Sequence, residues 1–176
     1  LTGRLIGRVR ELQSIDMSSS TEFRIEPAGQ SDIPLILTFI KGLAEYEGLE
    51  AVATEEDLVE AFFGSRASAE AVIAYSDTEP VGFAVFFQTY STFLGRPGLY
   101  LEDLYLFPEW RGRGAGRRLL SYVANIAMAR HCGRLEWSVL DWNEPAIKFY
   151  RGLGARPEDA WTVYRLTGDA LERLGG

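Results

Sequence analysis

The stretch Leu99-Tyr100-Leu101-Glu102-Asp103-Leu104-Tyr105-Leu106-Phe107, the turn Pro108-Glu109-Trp110 and the run Arg111-Gly112-Arg113-Gly114-Ala115-Gly116-Arg117-Arg118 follow one another directly, and their order decides the fold. The first piece is rich in Leu, Tyr and Phe and reads as a strand. After the last, Leu119, Leu120, Val123, Ile126 and Ala127 repeat with the period of an amphipathic helix. A strand that enters a helix through a glycine-rich loop is an α/β unit, and such a loop has a chemistry of its own. Glycines let the backbone approach an anion with no Cβ in the way. The free N–H groups of the first helical turn point at that anion with the positive end of the helix dipole behind them. Arg111, Arg113, Arg117 and Arg118 place four positive charges within eight residues, so the pattern predicts a pyrophosphate-binding loop. Two bland alternatives are a solvated arginine patch on a tight turn and an RNA-binding Arg-Gly segment. A dinucleotide-binding loop needs Gly-x-Gly-x-x-Gly, whereas Gly112, Gly114 and Gly116 are spaced two and two; a Walker loop needs a Lys after its glycine, which is absent.

Outward from this unit, short apolar strands alternate with amphipathic helices, with no internal repeat or low-complexity stretch. Residues 23–26 read as a strand. Ser31 is the expected N-cap of a helix whose Ile33, Ile36, Leu37, Ile40, Leu43 and Ala44 fall at helical spacing. Thr54-Glu55-Glu56-Asp57 has the form of a capping box opening a second helix. Residues 71–75 and 81–90 predict a hairpin across Asp77-Thr78-Glu79-Pro80, followed by the strand 99–107. Beyond the glycine loop and its helix come a strand over 135–140 and a helix begun by Asn143-Glu144-Pro145 and ended by Gly152 and Gly154. A last strand over 161–166 and a final helical turn or two over 169–174 complete the reading.

The chain has 176 residues, 47% hydrophobic and 24% charged, the balance of one globular domain, read here as 21–176. Residues 1–20 precede the pattern, with the first Met at position 17 and a polar run behind it; they read as a vector-derived or disordered segment. Lys and Arg number 18 against 25 Asp and Glu, a net charge of -7. That field argues against nucleic acid and for a cationic partner. One Cys (Cys132) and one His (His131) cannot build a zinc site between them. No apolar run approaches the roughly 20 residues of a membrane span. The expectation is a cytoplasmic, metal-free protein that binds no membrane.

The spacing Arg-x-x-Gly-x-Gly, carried by Arg111, Gly114 and Gly116, resembles the acetyl-coenzyme A loop of the GNAT superfamily of N-acetyltransferases. Tyr100-Leu101-Glu102-Asp103, Leu43-Ala44-Glu45-Tyr46-Glu47 and the segment Asp141-Trp142-Asn143-Glu144-Pro145-Ala146-Ile147-Lys148-Phe149-Tyr150 are similar to the spermidine/spermine N1-acetyltransferase family, including its thialysine-acetylating branch. The resemblance implies a mixed central sheet with flanking helices and one splayed, bulged strand. It implies that Leu104 and Leu106 of that strand line the pantetheine arm of acetyl-coenzyme A, that Arg111, Gly112, Arg113, Gly114, Ala115, Gly116 and Arg117 hold its pyrophosphate, and that the chain is a homodimer.

Acetyl transfer to an amine needs a neutral nucleophile, yet an alkylamine with a pKa of about 10.4 is only ~0.1% neutral at physiological pH. Glu102 is the residue matching the family's base, acting through a water, and its charge also attracts the cationic amine. Adjacent strand residues point to opposite faces, so Glu102 and Asp103 serve one site only if the strand bulges there. The leaving thiolate, with a pKa of about 8.5, is helped by a proton donor, and Tyr150 matches the family's general acid. Asn143 either hydrogen-bonds the cofactor arm or caps its helix. Glu47, Glu102, Asp103 and Trp161 are the expected acceptor-binding residues. Polyamine-preferring relatives carry Asp-Pro-Trp where this chain has Ser91-Thr92-Phe93, which together with Leu140-Asp141-Trp142-Asn143 favours thialysine or a short diamine over spermine. His131 and Cys132 read as a helix-end polar cap and a small buried residue rather than as a nucleophile pair. Two other readings stand beside the small-amine enzyme: a peptide or protein amine acetyltransferase, and a non-catalytic acyl-coenzyme A sensor that would need neither Glu102 nor Tyr150.

Overall fold

The computed structural model describes residues 22–176; the expectation for residues 1–20 lies outside the described residues. The chain divides into two compact parts, the first ending at Trp137 and the second spanning Ser138–Gly176. The first holds a five-stranded mixed sheet in the order β1 (Phe23–Pro27), β2 (Glu70–Ser76), β3 (Glu79–Ser91), β4 (Arg96–Leu106), β5 (Leu135–Trp137). The first four are antiparallel neighbours; β5 joins β4 in parallel, after the crossover helix α3 (Ala115–Ala129). Between β1 and β2 lie α1 (Ile33–Glu47) and α2 (Glu55–Phe63).

Side-chain alternation along β3 sets what each face of the sheet meets. Phe83 and Val85 belong to a buried cluster with Ile33, Ile36 and Phe39 of α1, Leu58 of α2, and Ala71, Ile73 and Tyr105. Phe39 stacks on Phe83 at 5.1 Å between ring centroids and tilts against Phe107 at 5.0 Å. Each fully buried side chain of this size contributes about 1.5–3 kcal/mol relative to exposure. The intervening residues Ala84 and Phe86, with Leu99 and Leu101 of β4, are buried on the other face, and α3 contributes buried Leu119, Leu120, Val123 and Ala127.

Local signals set the helix ends, with one correction. Thr54 and Asp57 form the expected capping box: the Asp57 N–H donates to Thr54 Oγ1 (3.2 Å) and the Thr54 N–H to Asp57 Oδ2 (2.9 Å). Ser31 does not cap α1. Residues Gln30–Asp32 make a 3-10 turn first, and Asp32 accepts the Gly29 N–H at 2.7 Å. The carboxylate one residue later reaches that donor, so the entry is tightened before the α-helix begins. The β2–β3 turn is shorter than expected: Glu79 and Pro80 already belong to β3, leaving Asp77 (φ 52°) and Thr78 between the strands.

In the second part, α4 (Glu144–Arg151) starts as predicted. Asn143 Oδ1 accepts the Ala146 N–H at 3.3 Å, and Pro145 sits in the first turn. A last helix, α5, covers Gly168–Gly175. Two strand expectations are corrected. Residues 135–140 pair only over Leu135–Trp137, and residues 161–166 form no strand among the described residues. Alternation and β-branched composition mark a segment able to pair, but a strand exists only where a neighbouring ladder receives it.

Candidate active site

β4 carries the decisive irregularity. Consecutive residues Phe86 and Val85 of β3 pair with Leu101 and Asp103, so Glu102 is an extra residue on β4. Counted by alternation from Tyr100, Glu102 falls on the α1 face; counted back from Tyr105, which is in the α1 cluster, Asp103 falls on the same face. The bulge therefore turns two adjacent carboxylates toward one side of the sheet. The parallel ladder with β5 ends at Leu101 and Trp137, one residue before the bulge. From Glu102 onward β4 has no ladder partner on its β5 side among the described residues.

Glu47, the last residue of α1, completes the acidic group. Burial pushes the Asp103 carboxyl up to about 6, and the charges of Glu102 and Glu47 push in the same direction. Burial raises the Glu47 carboxyl as well. A site holding three carboxylates with at least one half-buried is unfavourable when empty of positive charge, and a cationic group relieves it.

Past β4, a 3-10 turn over Pro108–Trp110 leads into the glycine loop. Gly112 and Gly114 take left-handed backbone conformations (φ 72° and 84°), which L side chains rarely adopt. Gly114 is the N-cap of α3 and supplies no side-chain acceptor; the first helical bond is from the Arg118 N–H to the Gly114 carbonyl at 3.1 Å. The N–H groups of Ala115, Gly116 and Arg117 precede that bond and are left for an external acceptor, which fits a phosphate.

The loop arginines part ways. Arg117 is exposed beside the helix start, and Arg113 lies 5.3 Å over the Trp110 ring. Arg118 instead ties α3 to β1, donating to the Phe23 carbonyl at 2.9 Å and covering the Phe23 ring at 4.0 Å. Arg111 turns back on the sheet: its Nε donates to the Leu106 carbonyl (3.1 Å), and its guanidinium covers the Tyr46 ring at 4.5 Å and Tyr105 at 5.4 Å. Sequence reasoning gave no role to Tyr46 or Tyr105 and grouped Arg111 with the anion ligands. The one local hint was Tyr46 standing immediately before Glu47. The Leu106 carbonyl, expected along the pantetheine arm, already accepts this arginine. Leu104 lies opposite Ala84, past the bulge.

In the second part, Asn143 is buried and acts as the cap of α4; Tyr150, half-buried near the end of α4, packs against Phe149 at 5.2 Å. Trp161 is exposed, its N–H on the Glu158 carbonyl at 3.2 Å. Phe93 is 92% exposed at the tip of the β3–β4 hairpin, where Ser91 Oγ accepts the Leu94 N–H at 3.2 Å. His131 takes a left-handed conformation (φ 56°) and caps α3 through its backbone rather than its ring; Cys132 is half-buried. Among the described residues no group of three or more His, Cys, Asp or Glu is arranged to hold a metal ion, and no helix is long and apolar enough to cross a membrane.

A mixed sheet with a bulged fourth strand, followed by a left-handed glycine at a helix start, is the framework of an acyltransferase that receives coenzyme A. Residues 40–155 match the model of the acetyltransferase (GNAT) family, and the chain belongs to that family. It is an acetyl-coenzyme A-dependent amine N-acetyltransferase. Thialysine N-epsilon-acetyltransferase of Bos taurus is 35% identical over 165 residues, covering 86% of this chain and 96% of that protein. The protein of the same name from Sus scrofa is 36% identical over the same shares. Among solved structures, an integron cassette protein of V. cholerae superposes with a TM-score of 0.73 at 26% identity, covering 87% of this chain and 97% of that one.

Proposed function

We propose that the acceptor is a small cationic amine, thialysine or a short diamine ahead of spermine. The observation that carries this reading is the pairing of Glu102 and Asp103 on one bulge with Glu47 nearby, a group whose mutual repulsion a bound cation relieves. The names of the Bos taurus and Sus scrofa relatives support it.

In this reading the residues divide the work. The N–H groups of Ala115, Gly116 and Arg117, with Gly112, Arg113 and Gly114, receive the pyrophosphate, and the open edge of β4 near Leu104 receives the pantetheine arm in sheet fashion. Glu47 and Asp103, with the Trp161 ring, hold the ammonium and its chain. Glu102 takes the ammonium proton through a water. The neutral nitrogen attacks the thioester carbonyl, the C–N bond forms, and the C–S bond breaks. Tyr150 gives its proton to the departing sulfur and is reprotonated from the amide nitrogen by way of solvent. Asn143 fixes the start of the helix that carries Tyr150. One catalytic domain spans residues 21–176 and works in the cytoplasm without nucleic acid, membrane or metal. It works as a homodimer, in which the exposed residues Trp161, Val163, Tyr164 and Leu166 gain cover from the second copy.

The test is thiol release from acetyl-coenzyme A with thialysine, lysine, putrescine, spermidine, spermine and a short basic peptide across pH 6 to 9. Fast turnover of one small amine, rising with pH through a single ionisation, is the expected result. Preference for the peptide would make the chain a peptide amine acetyltransferase. Tight coenzyme A binding with no turnover of any of these acceptors would overturn the small-amine reading.

A further inference from the structure

Arg111 is the first residue of the glycine loop, and its backbone N–H and its Nε both bond away from that loop. Its backbone N–H donates to the Pro108 carbonyl at 3.2 Å, so that N–H is not among the donors offered at the start of α3. Its Nε donates to Leu106, at the end of β4. The planar guanidinium then lies over two aromatic rings from different elements: Tyr46, in the last turn of α1, and Tyr105 on β4. These rings flank the carboxylates: Tyr46 immediately precedes Glu47, and Tyr105 follows Asp103 by two residues on the same face of the sheet. α1 has no basic residue in its last turn to hold that end electrostatically; it ends on Gly48 in a left-handed conformation (φ 69°). The guanidinium fills that role from outside, by cation–π attraction and by planar stacking over two rings, the second of which the point charge of Lys cannot reproduce.

We infer that Arg111 is a positioning residue of the amine site: it clamps the end of α1 to β4 and so sets Glu47 against Glu102 and Asp103. It is not a pyrophosphate ligand. The inference deepens the small-amine reading given above and rests on it for its kinetic arm, while its equilibrium arm is independent of the acceptor.

The full chain is compared with Arg111→Met, Arg111→Lys and Tyr46→Leu, each first shown to unfold cooperatively. The thialysine KM is expected to rise about tenfold in all three, with kcat much less affected. The coenzyme A Kd, measured by calorimetry, is expected to change less than about threefold. The same amine defect is expected when S-acetylpantetheine, which has no pyrophosphate, is the donor. Backbone amides of residues 45–49 are expected to exchange faster in Arg111→Met, with those of residues 114–117 unchanged. The inference is overturned if Arg111→Met weakens coenzyme A tenfold or more with the amine KM unmoved. It is overturned equally if S-acetylpantetheine abolishes the difference from wild type, if Arg111→Lys restores wild-type behaviour, or if exchange at 45–49 does not change. Wild-type protein that ignores thialysine would sink the substrate reading, and the calorimetry and exchange would still decide the role of Arg111.

Discussion

Gly42 of α1 faces the Tyr105 ring so closely that a Cβ there would lie 2.6 Å from the Tyr105 hydroxyl oxygen and 2.9 Å from the ring carbon that bears it. Glycine inside a helix costs about 1 kcal/mol against alanine, so this position gives up helix stability to let α1 approach β4. Gly42→Ala must push away a ring that also meets Arg111, Phe39 and Phe107. The expected outcome is destabilisation by about 1–3 kcal/mol despite the better helix former. Urea denaturation of Gly42→Ala, Tyr105→Leu and the double variant checks it. The double variant should be less destabilised than the sum of the singles, because removing the ring removes the clash; strict additivity would mean that the two residues do not meet.

The acidic group predicts a pH dependence with a definite sign. Well below pH 4 the Asp103 carboxyl is neutral in both folded and unfolded chains, and its environment costs the fold nothing. Since the folded chain holds its pKa up at about 6, ionisation is harder in the fold, and stability is lost as pH rises from about 4 through 6. Asp103→Asn removes that loss. The variant is expected to match wild type near pH 3 and to exceed it by up to about 3 kcal/mol above pH 7. Thermal unfolding at a series of pH values reads this directly. A gap that does not widen between pH 3 and 7 would mean that neither burial nor the neighbouring carboxylates hold the Asp103 carboxyl up.

Legibility from sequence followed the range of the interaction. The Thr54–Asp57 box and the Asn143 cap were readable because each closes within three residues. Ser31 shows the limit of such local reading: the Asp32 carboxylate accepts the Gly29 N–H across the 3-10 turn Gln30–Asp32, and α1 begins only after it. The need for a bulge could be stated from Glu102 and Asp103 being neighbours, but the bulge itself is a register between β3 and β4 and belongs to neither strand alone. The Arg111 stack on Tyr46 was illegible because it joins α1 to a loop far along the chain, and an arginine beside glycines has the same composition whether it faces an anion or a ring. Residues 161–166 show the converse, with strand chemistry written in the sequence and no ladder among the described residues to express it.

The end of α3 yields a stabilising substitution. The Cys132 N–H donates to the Ala127 carbonyl (2.9 Å) and the His131 N–H to the Met128 carbonyl (3.0 Å), the paired bonds of a Schellman motif, with His131 at the left-handed position that glycine prefers. A Cβ there is strained, so His131→Gly is expected to stabilise the chain by about 0.5–1 kcal/mol, less whatever the imidazole contributes at the helix end. Chemical denaturation of His131→Gly beside His131→Ala isolates the backbone effect. A loss of stability in His131→Gly relative to wild type would show that the side chain, not the backbone, makes the cap.

Tyr150 separates chemistry from binding. Its carbonyl accepts the Leu153 and Ala155 N–H groups at 3.0 and 3.2 Å, which closes the end of α4, and its ring packs on Phe149. Both features survive in Tyr150→Phe, which removes the hydroxyl oxygen. If the hydroxyl donates the proton that lets the thiolate leave, turnover is expected to fall about 10²-fold or more while coenzyme A affinity stays near wild type. The loss should also shrink when the leaving group is made more acidic, since a good leaving group needs less help. Acetyl transfer from p-nitrothiophenyl acetate, compared with acetyl-coenzyme A in both proteins, therefore reads the role of the hydroxyl: an equal deficit with both donors would assign the oxygen to orientation, and no deficit with either would remove Tyr150 from the reaction.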